Sequence, residues 1–179
     1  MPVYITQGEG KDYKPCPEGL FQAVCVDVVD LGIRESKFGK KHKLALVWQV
    51  LATDDDGNPV LREDGKRHEV QAWYTASSHK KAALTKDLQV WRGQPFTPEE
   101  AKKFDVENVI GANCQLQIIH SAPNEDGRVY ANKQVLVPYK GKLKIAPLDY
   151  VRVKDRPTED GNGNSHAVQT EEDEEALPF

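Results

Sequence analysis

Arg67-His68-Glu69-Val70-Gln71-Ala72-Trp73-Tyr74-Thr75-Ala76-Ser77-Ser78-His79-Lys80-Lys81-Ala82-Ala83-Leu84-Thr85-Lys86-Asp87-Leu88-Gln89-Val90-Trp91-Arg92-Gly93 is where the chain changes its period. Val70, Ala72 and Tyr74 alternate with Gln71, Trp73 and Thr75, the two-residue repeat of a strand with one face in a core. From Leu84 the apolar residues recur at four and three instead: Leu84, Leu88 and Trp91 make the stripe of a helix that Ser77 or Ser78 can cap and Gly93 can end.

Upstream, residues 21–31 are dense in β-branched side chains and lack helical spacing, which predicts a first strand. Residues 43–53 put Leu44, Leu46, Trp48 and Val50 on one face of a second strand. Between them Arg34-Glu35-Ser36-Lys37-Phe38-Gly39-Lys40-Lys41-His42-Lys43 reads as a basic connection, and Asp54-Asp55-Asp56-Gly57-Asn58-Pro59 as a turn. Downstream, Thr97-Pro98-Glu99-Glu100 is a capping-box signature that starts a second short helix running to about Phe104. Residues 113–120 alternate Cys114, Leu116 and Ile118 against Gln115 and Gln117, and after the turn Asn124-Glu125-Asp126-Gly127 a fifth strand runs over residues 128–138. The expected fold is mainly β: three strands, a helical segment and two strands is the order of an OB-fold, a five-stranded partly open barrel with one or two helices between its third and fourth strands that binds oligonucleotides or oligosaccharides, and other small barrels and α+β folds share that order.

With 179 residues the chain carries a net charge of −4 that is unevenly spread. Residues 1–154 hold 23 Lys and Arg against 20 Asp and Glu, whereas residues 155–179 hold 1 against 8. We expect one domain over residues 1–154, a flexible linker of Gly, Asn, Pro and Ser over 155–170, and a disordered acidic tail over 171–179. No apolar run is long enough to span a bilayer and residues 1–14 have no signal-peptide apolar region, so a soluble, cytoplasmic protein without a membrane partner is expected. Cys16, Cys25 and Cys114 form neither a C-x-x-C pair nor an even set and read as buried thiols.

The tail Glu171-Glu172-Asp173-Glu174-Glu175-Ala176-Leu177-Pro178-Phe179 runs five carboxylates into a short apolar tip. Together with the barrel and the linker, it resembles the single-stranded DNA-binding proteins of bacteria and bacteriophages. In that family an acidic stretch ending in Pro-Phe or Phe docks on replication and repair proteins. The resemblance lets Asp173, Glu174 and Glu175 stand for the acidic run, Leu177 for the apolar position, and Pro178 and Phe179 for the tip. It implies non-catalytic, sequence-tolerant binding of single-stranded DNA in replication, recombination or repair, in the cytoplasm of a bacterial host, by a divergent phage-encoded member and possible homo-oligomer. A tail that serves solubility alone is the other reading of these residues.

Strand binding without sequence preference needs cations along the phosphates and flat side chains under the bases. Lys37, Lys40, Lys41 and Lys43 surround Phe38 in the first inter-strand connection, and Trp73 shares the polar face of the third strand with Gln71 and Thr75. Lys133 interrupts the face Val129, Ala131, Val135, Val137, and Tyr139, Lys140 and Lys142 form a further basic-aromatic stretch. Trp48 and Tyr74 fall among apolar neighbours and are expected in the core. The scattered histidines give no metal-ligand spacing, and phosphate-loop and nucleophile-elbow motifs are absent, so neither a metal, a cofactor nor an enzyme activity is expected. A phage adaptor that uses its tail to dock on host enzymes without binding DNA is the alternative.

Overall fold

The computed structural model describes residues 14–157, so the acidic tail and most of the expected linker lie outside the described residues. Five strands, β1 (Gly19–Ser36), β2 (Gly39–Val50), β3 (His68–Thr75), β4 (Asn113–His120) and β5 (Ala131–Pro138), form one antiparallel open sheet in the order β3-β2-β1-β4-β5. Two helices, α1 (Ala83–Arg92) and α2 (Pro98–Lys103), lie between β3 and β4 in sequence. The 18-residue β1 links the two halves of the sheet: Gly19 to Val24 pair with β4 and Ala23 to Ser36 with β2, so that only Ala23 and Val24 pair on both sides. Register shifts after Cys25 and after Asp30 bend it twice, and Gly32, at φ 68°, supplies the left-handed backbone at the second shift.

One face of the sheet packs on α1. Leu46, Trp48, Leu116 and Ile118 meet Leu84, Leu88 and Trp91, with the rings of Trp48 and Trp91 tilted at 47° and 6.2 Å apart. Each such side chain contributes roughly 1.5–3 kcal/mol by leaving water, so the three-to-four stripe read from the sequence is what holds α1 in place. The edge strands β3 and β5 come within 8 Å of each other without a hydrogen-bonded ladder. Side chains bridge that gap. Asp87 of α1 accepts from the Tyr74 hydroxyl of β3 at 2.6 Å and from Lys133 Nζ of β5 at 2.7 Å.

Two expectations are corrected here. Residues 34–43 are not a loop, because β1 and β2 continue as a paired ribbon to a two-residue turn at Lys37 and Phe38. The start of α1 is Ala83, not a position next to Ser77 or Ser78, because the Ser77 hydroxyl accepts from the His79 amide and the Ala82 amide bonds back to His79 in a separate turn. By contrast β4 occupies its expected span, and α2 has the full capping box between Thr97 and Glu100.

The other face of the sheet is crossed by an extended strap, residues 143–153. Side-chain amides hold it. Asn113 donates to the Ile145 carbonyl and accepts from its amide, Gln49 does the same with Leu148, and Gln22 donates to the Leu143 carbonyl. Ile145 and Tyr150 pack on Val24, Val26 and Val47, and Asp27 ties down the end of the strap.

Candidate nucleic-acid interface

The ribbon formed by the far ends of β1 and β2 stands clear of the rest of the sheet, since β3 pairs with β2 only up to Lys43. Its pairing runs Gly32 to Lys43, Ile33 to His42, Arg34 to Lys41, Glu35 to Lys40 and Ser36 to Gly39. At the tip the Ser36 hydroxyl donates to the Gly39 carbonyl and accepts from the Phe38 amide, while Gly39 takes φ 99°. That dihedral is the reason for a glycine at the turn. Phe38 projects from the tip with 88% of its surface exposed.

Residues paired directly across an antiparallel ribbon share a face. Arg34, Lys41 and Lys43 therefore lie on one side, continuous with Thr75 and Trp73 of β3, while Glu35, Lys40, Ile33 and His42 lie on the other. The Arg34 guanidinium sits 5.9 Å from the centroid of the Trp73 ring, and Lys43 Nζ donates to Thr75 Oγ1 at 2.6 Å. Trp73 is 58% exposed, whereas Trp48 and Trp91 are in the core. Cations and a flat ring are thus adjacent on one surface. At the root of the ribbon the Gly32 amide, and then His42, hold the Asp30 carboxyl below its ordinary value and so ionised. Asp30 and Glu35 are the acidic residues that temper this otherwise cationic ribbon.

The strap's bonds fall on the register rows of Gln49 and of Asp27 and on the Val28 carbonyl, which accepts from Arg152, and Trp73 belongs to the next row, that of Ala45 and Val29, nearer the ribbon. Asp27, 1% exposed, accepts from Arg152 Nε at 2.9 Å, the Tyr150 hydroxyl at 3.0 Å and the Val153 amide at 2.8 Å. Burial alone would raise its carboxyl, but the Val153, Arg152 and Tyr150 bonds outweigh it and hold the group below its ordinary value. Arg152 also reaches Glu107 at 2.7 Å, so strap, β1 and the turn at residues 106–109 share one polar lock.

The sequence-predicted positions thus separate into groups. Lys41, Lys43 and Trp73 come together, and Lys37 and Phe38 form the tip. Lys40 is on the reverse face opposite Glu35. Lys133 sits elsewhere: a register shift at Gln117 and Ile118 turns it to the core side of β5, where it pairs with Asp87 and lies 5.5 Å from the centre of the Tyr74 ring. The predicted single face Val129, Ala131, Val135, Val137 is split by the same shift, which leaves Ala131 against the core and Val135 exposed. Tyr139 donates to the Leu143 carbonyl and packs on Gly141, while Lys140 and Lys142 are exposed at the start of the strap. Pro138, at the end of β5, shares the row of Cys114 and Ala23, six positions of β1 or on the order of 20 Å from the Trp73 row. Arg34 joins this face without a local sequence signal of its own. Reflecting the sequence about a Lys37-Phe38 turn pairs it with Lys41, and that symmetry is the signal that finds it.

Cys16, Cys25 and Cys114 are buried, and burial pushes the Cys16 and Cys25 thiols up to about 12, which removes them as nucleophiles. Among the described residues no group of three or more His, Cys, Asp or Glu could hold a metal ion, and no helix is long and apolar enough to cross a membrane. Comparison with protein-family models, with curated proteins and with solved structures finds no match.

Proposed function

We propose that this protein binds single-stranded DNA without sequence preference, along the face made by Arg34, Lys41, Lys43 and Trp73, with Lys37 and Phe38 at its outer end. The observation that carries the reading is the guanidinium of Arg34 beside an exposed Trp73 ring, on the same face as Lys41 and Lys43. A base stacked on such a ring gains about 1–3 kcal/mol, and the same stack is available to every base. Cations spaced along a ribbon track phosphates in a manner that salt weakens.

An OB-fold barrel is the finer architecture that fits this reading. The five antiparallel strands, a bent β1 pairing on both sides, α1 between β3 and β4, and the Asp87 bridge between the edge strands support it. Recruitment of replication, recombination or repair proteins by the tip Leu177, Pro178 and Phe179, preceded by Asp173, Glu174 and Glu175, belongs to the same proposal and rests on the sequence.

Fluorescence anisotropy of an end-labelled oligo-dT titrated with the full chain tests the reading. Micromolar or tighter binding that weakens as salt rises, with little affinity for duplex, is the expected result. An anisotropy that stays flat at low salt would leave the tail-only adaptor in its place.

A further inference from the structure

Between Asp30 and Gly32 the pairing of β1 with β2 shifts, and Leu31 is the extra residue of the bulge. A bulge bends its strand and re-aims the side chains beside it. Gly32, at φ 68°, takes the left-handed backbone that a side chain would resist. The carbonyl of Leu31 then accepts from Arg34 Nε at 2.9 Å, which fixes the guanidinium and leaves its two Nη groups for other partners. The acidic residues of the ribbon are turned elsewhere. Glu35 lies on the reverse face opposite Lys40, and Asp30 is held by His42 and by the Gly32 amide.

The separation of guanidinium and ring then decides what Arg34 is set for. Bases stacked along a strand stand about 3.4 Å apart, and an arginine that only shielded the indole would close to about that distance. Arg34 stands 5.9 Å from the Trp73 centroid. Two walls with one base between them are about 7 Å apart on the same spacing. The gap is too wide for a direct stack and about 1 Å short of admitting a base, and both side chains are exposed, so a small rotation of either widens it.

We propose, on the strength of the DNA-binding reading, that Arg34 and Trp73 form a slot for one unpaired base. The indole is one wall, the guanidinium is the other, and the Leu31 carbonyl holds the guanidinium in place. From that position the Nη groups reach a neighbouring phosphate, so plane and charge act together. A base inside a duplex has both faces covered by its neighbours and does not enter. The slot is thus what selects single strands, since lysines alone are attracted to the phosphates of either form.

Anisotropy titrations of the full chain with two labelled strands of equal length, oligo-dT and an abasic strand with the same phosphates, separate plane from charge. Wild type should bind oligo-dT the more tightly. Arg34→Lys keeps the charge and loses the planar fork. It should weaken oligo-dT about fivefold, the low end of what one stacked base contributes, and leave the abasic affinity and the salt slope unchanged. Gly32→Ala, strained at φ 68°, displaces the Leu31 carbonyl and should lower the ratio of the two affinities in the same way. Lys41→Arg, the reverse exchange on the same face, should leave that ratio as it is. A wild-type ratio in either Arg34→Lys or Gly32→Ala, or an equal loss of both strands in Arg34→Lys, would overturn the slot and leave the DNA reading standing. Wild type that binds neither strand would remove the DNA reading itself, and the slot with it.

Discussion

Replacing Asp27 by Ala tests how the strap is held. The carboxylate is buried and accepts three hydrogen bonds, from Arg152, Tyr150 and Val153, and its loss leaves the Tyr150 hydroxyl and the Val153 amide without that acceptor. Breaking one side of a buried ion pair costs about 3–5 kcal/mol. Arg152 keeps Glu107 and is 20% exposed, so part of its charge remains compensated and the lower end of that range applies. Denaturant unfolding should therefore show a loss of about 3 kcal/mol, and Arg152→Ala in the Asp27→Ala background should add little. A loss below about 1 kcal/mol, the size of an ordinary exposed pair, or full additivity of the two changes would refute the lock. The pH dependence has a definite sign. Because the folded carboxyl is held below its unfolded value, its stabilisation is present above the unfolded pKa and is lost as pH falls through the folded one. Asp27→Asn should thus flatten the acid limb of the stability curve, with the difference from wild type shrinking as pH falls below about 4.

Removing Arg34 and Lys41 together should lower the dependence of log affinity on log salt by about 1.4, from the ~0.7 released per phosphate contact on a single strand; an unchanged slope in an anisotropy titration would place the strand elsewhere. Lys133→Ala should leave oligo-dT affinity as it is and cost roughly 1–3 kcal/mol in denaturant, since Asp87 loses one of its two partners at the gap between β3 and β5. Weakened DNA binding with unchanged stability in that variant would reverse its placement.

The sequence was most readable where one face of an element is apolar. β4 alternates cleanly because Cys114, Leu116 and Ile118 are in the core, and α1 shows its stripe because Leu84, Leu88 and Trp91 face the sheet. The ribbon of residues 32–43 gave no such signal: it has solvent on both faces, so its strands carry no alternation of apolar and polar residues. Its basic and aromatic content was visible in the sequence, but the partition that puts Lys41 with Trp73 and turns Lys40 away depends on pairing across the turn. The face of Lys133 is unreadable for a related reason, since a single register shift exchanges the two faces of a strand. The strap was unreadable from local pattern. Gln22, Gln49 and Asn113 looked like ordinary outward polar positions, and nothing local ties them to carbonyls and amides that lie up to 121 residues away along the chain.

Intrinsic tryptophan fluorescence during an oligo-dT titration is the most direct test of the face assigned to DNA. Trp48 and Trp91 are buried and Trp73 is open to solvent, so a change in emission on binding reports the one ring said to stack with bases. Wild type should be quenched with a midpoint that moves to higher protein concentration as salt rises. Trp73→Phe should still bind labelled oligo-dT within a few fold, because phenylalanine retains a stacking face, but without the quench. Quenching that persists in Trp73→Phe, or binding by wild type with no change in emission, would contradict the account.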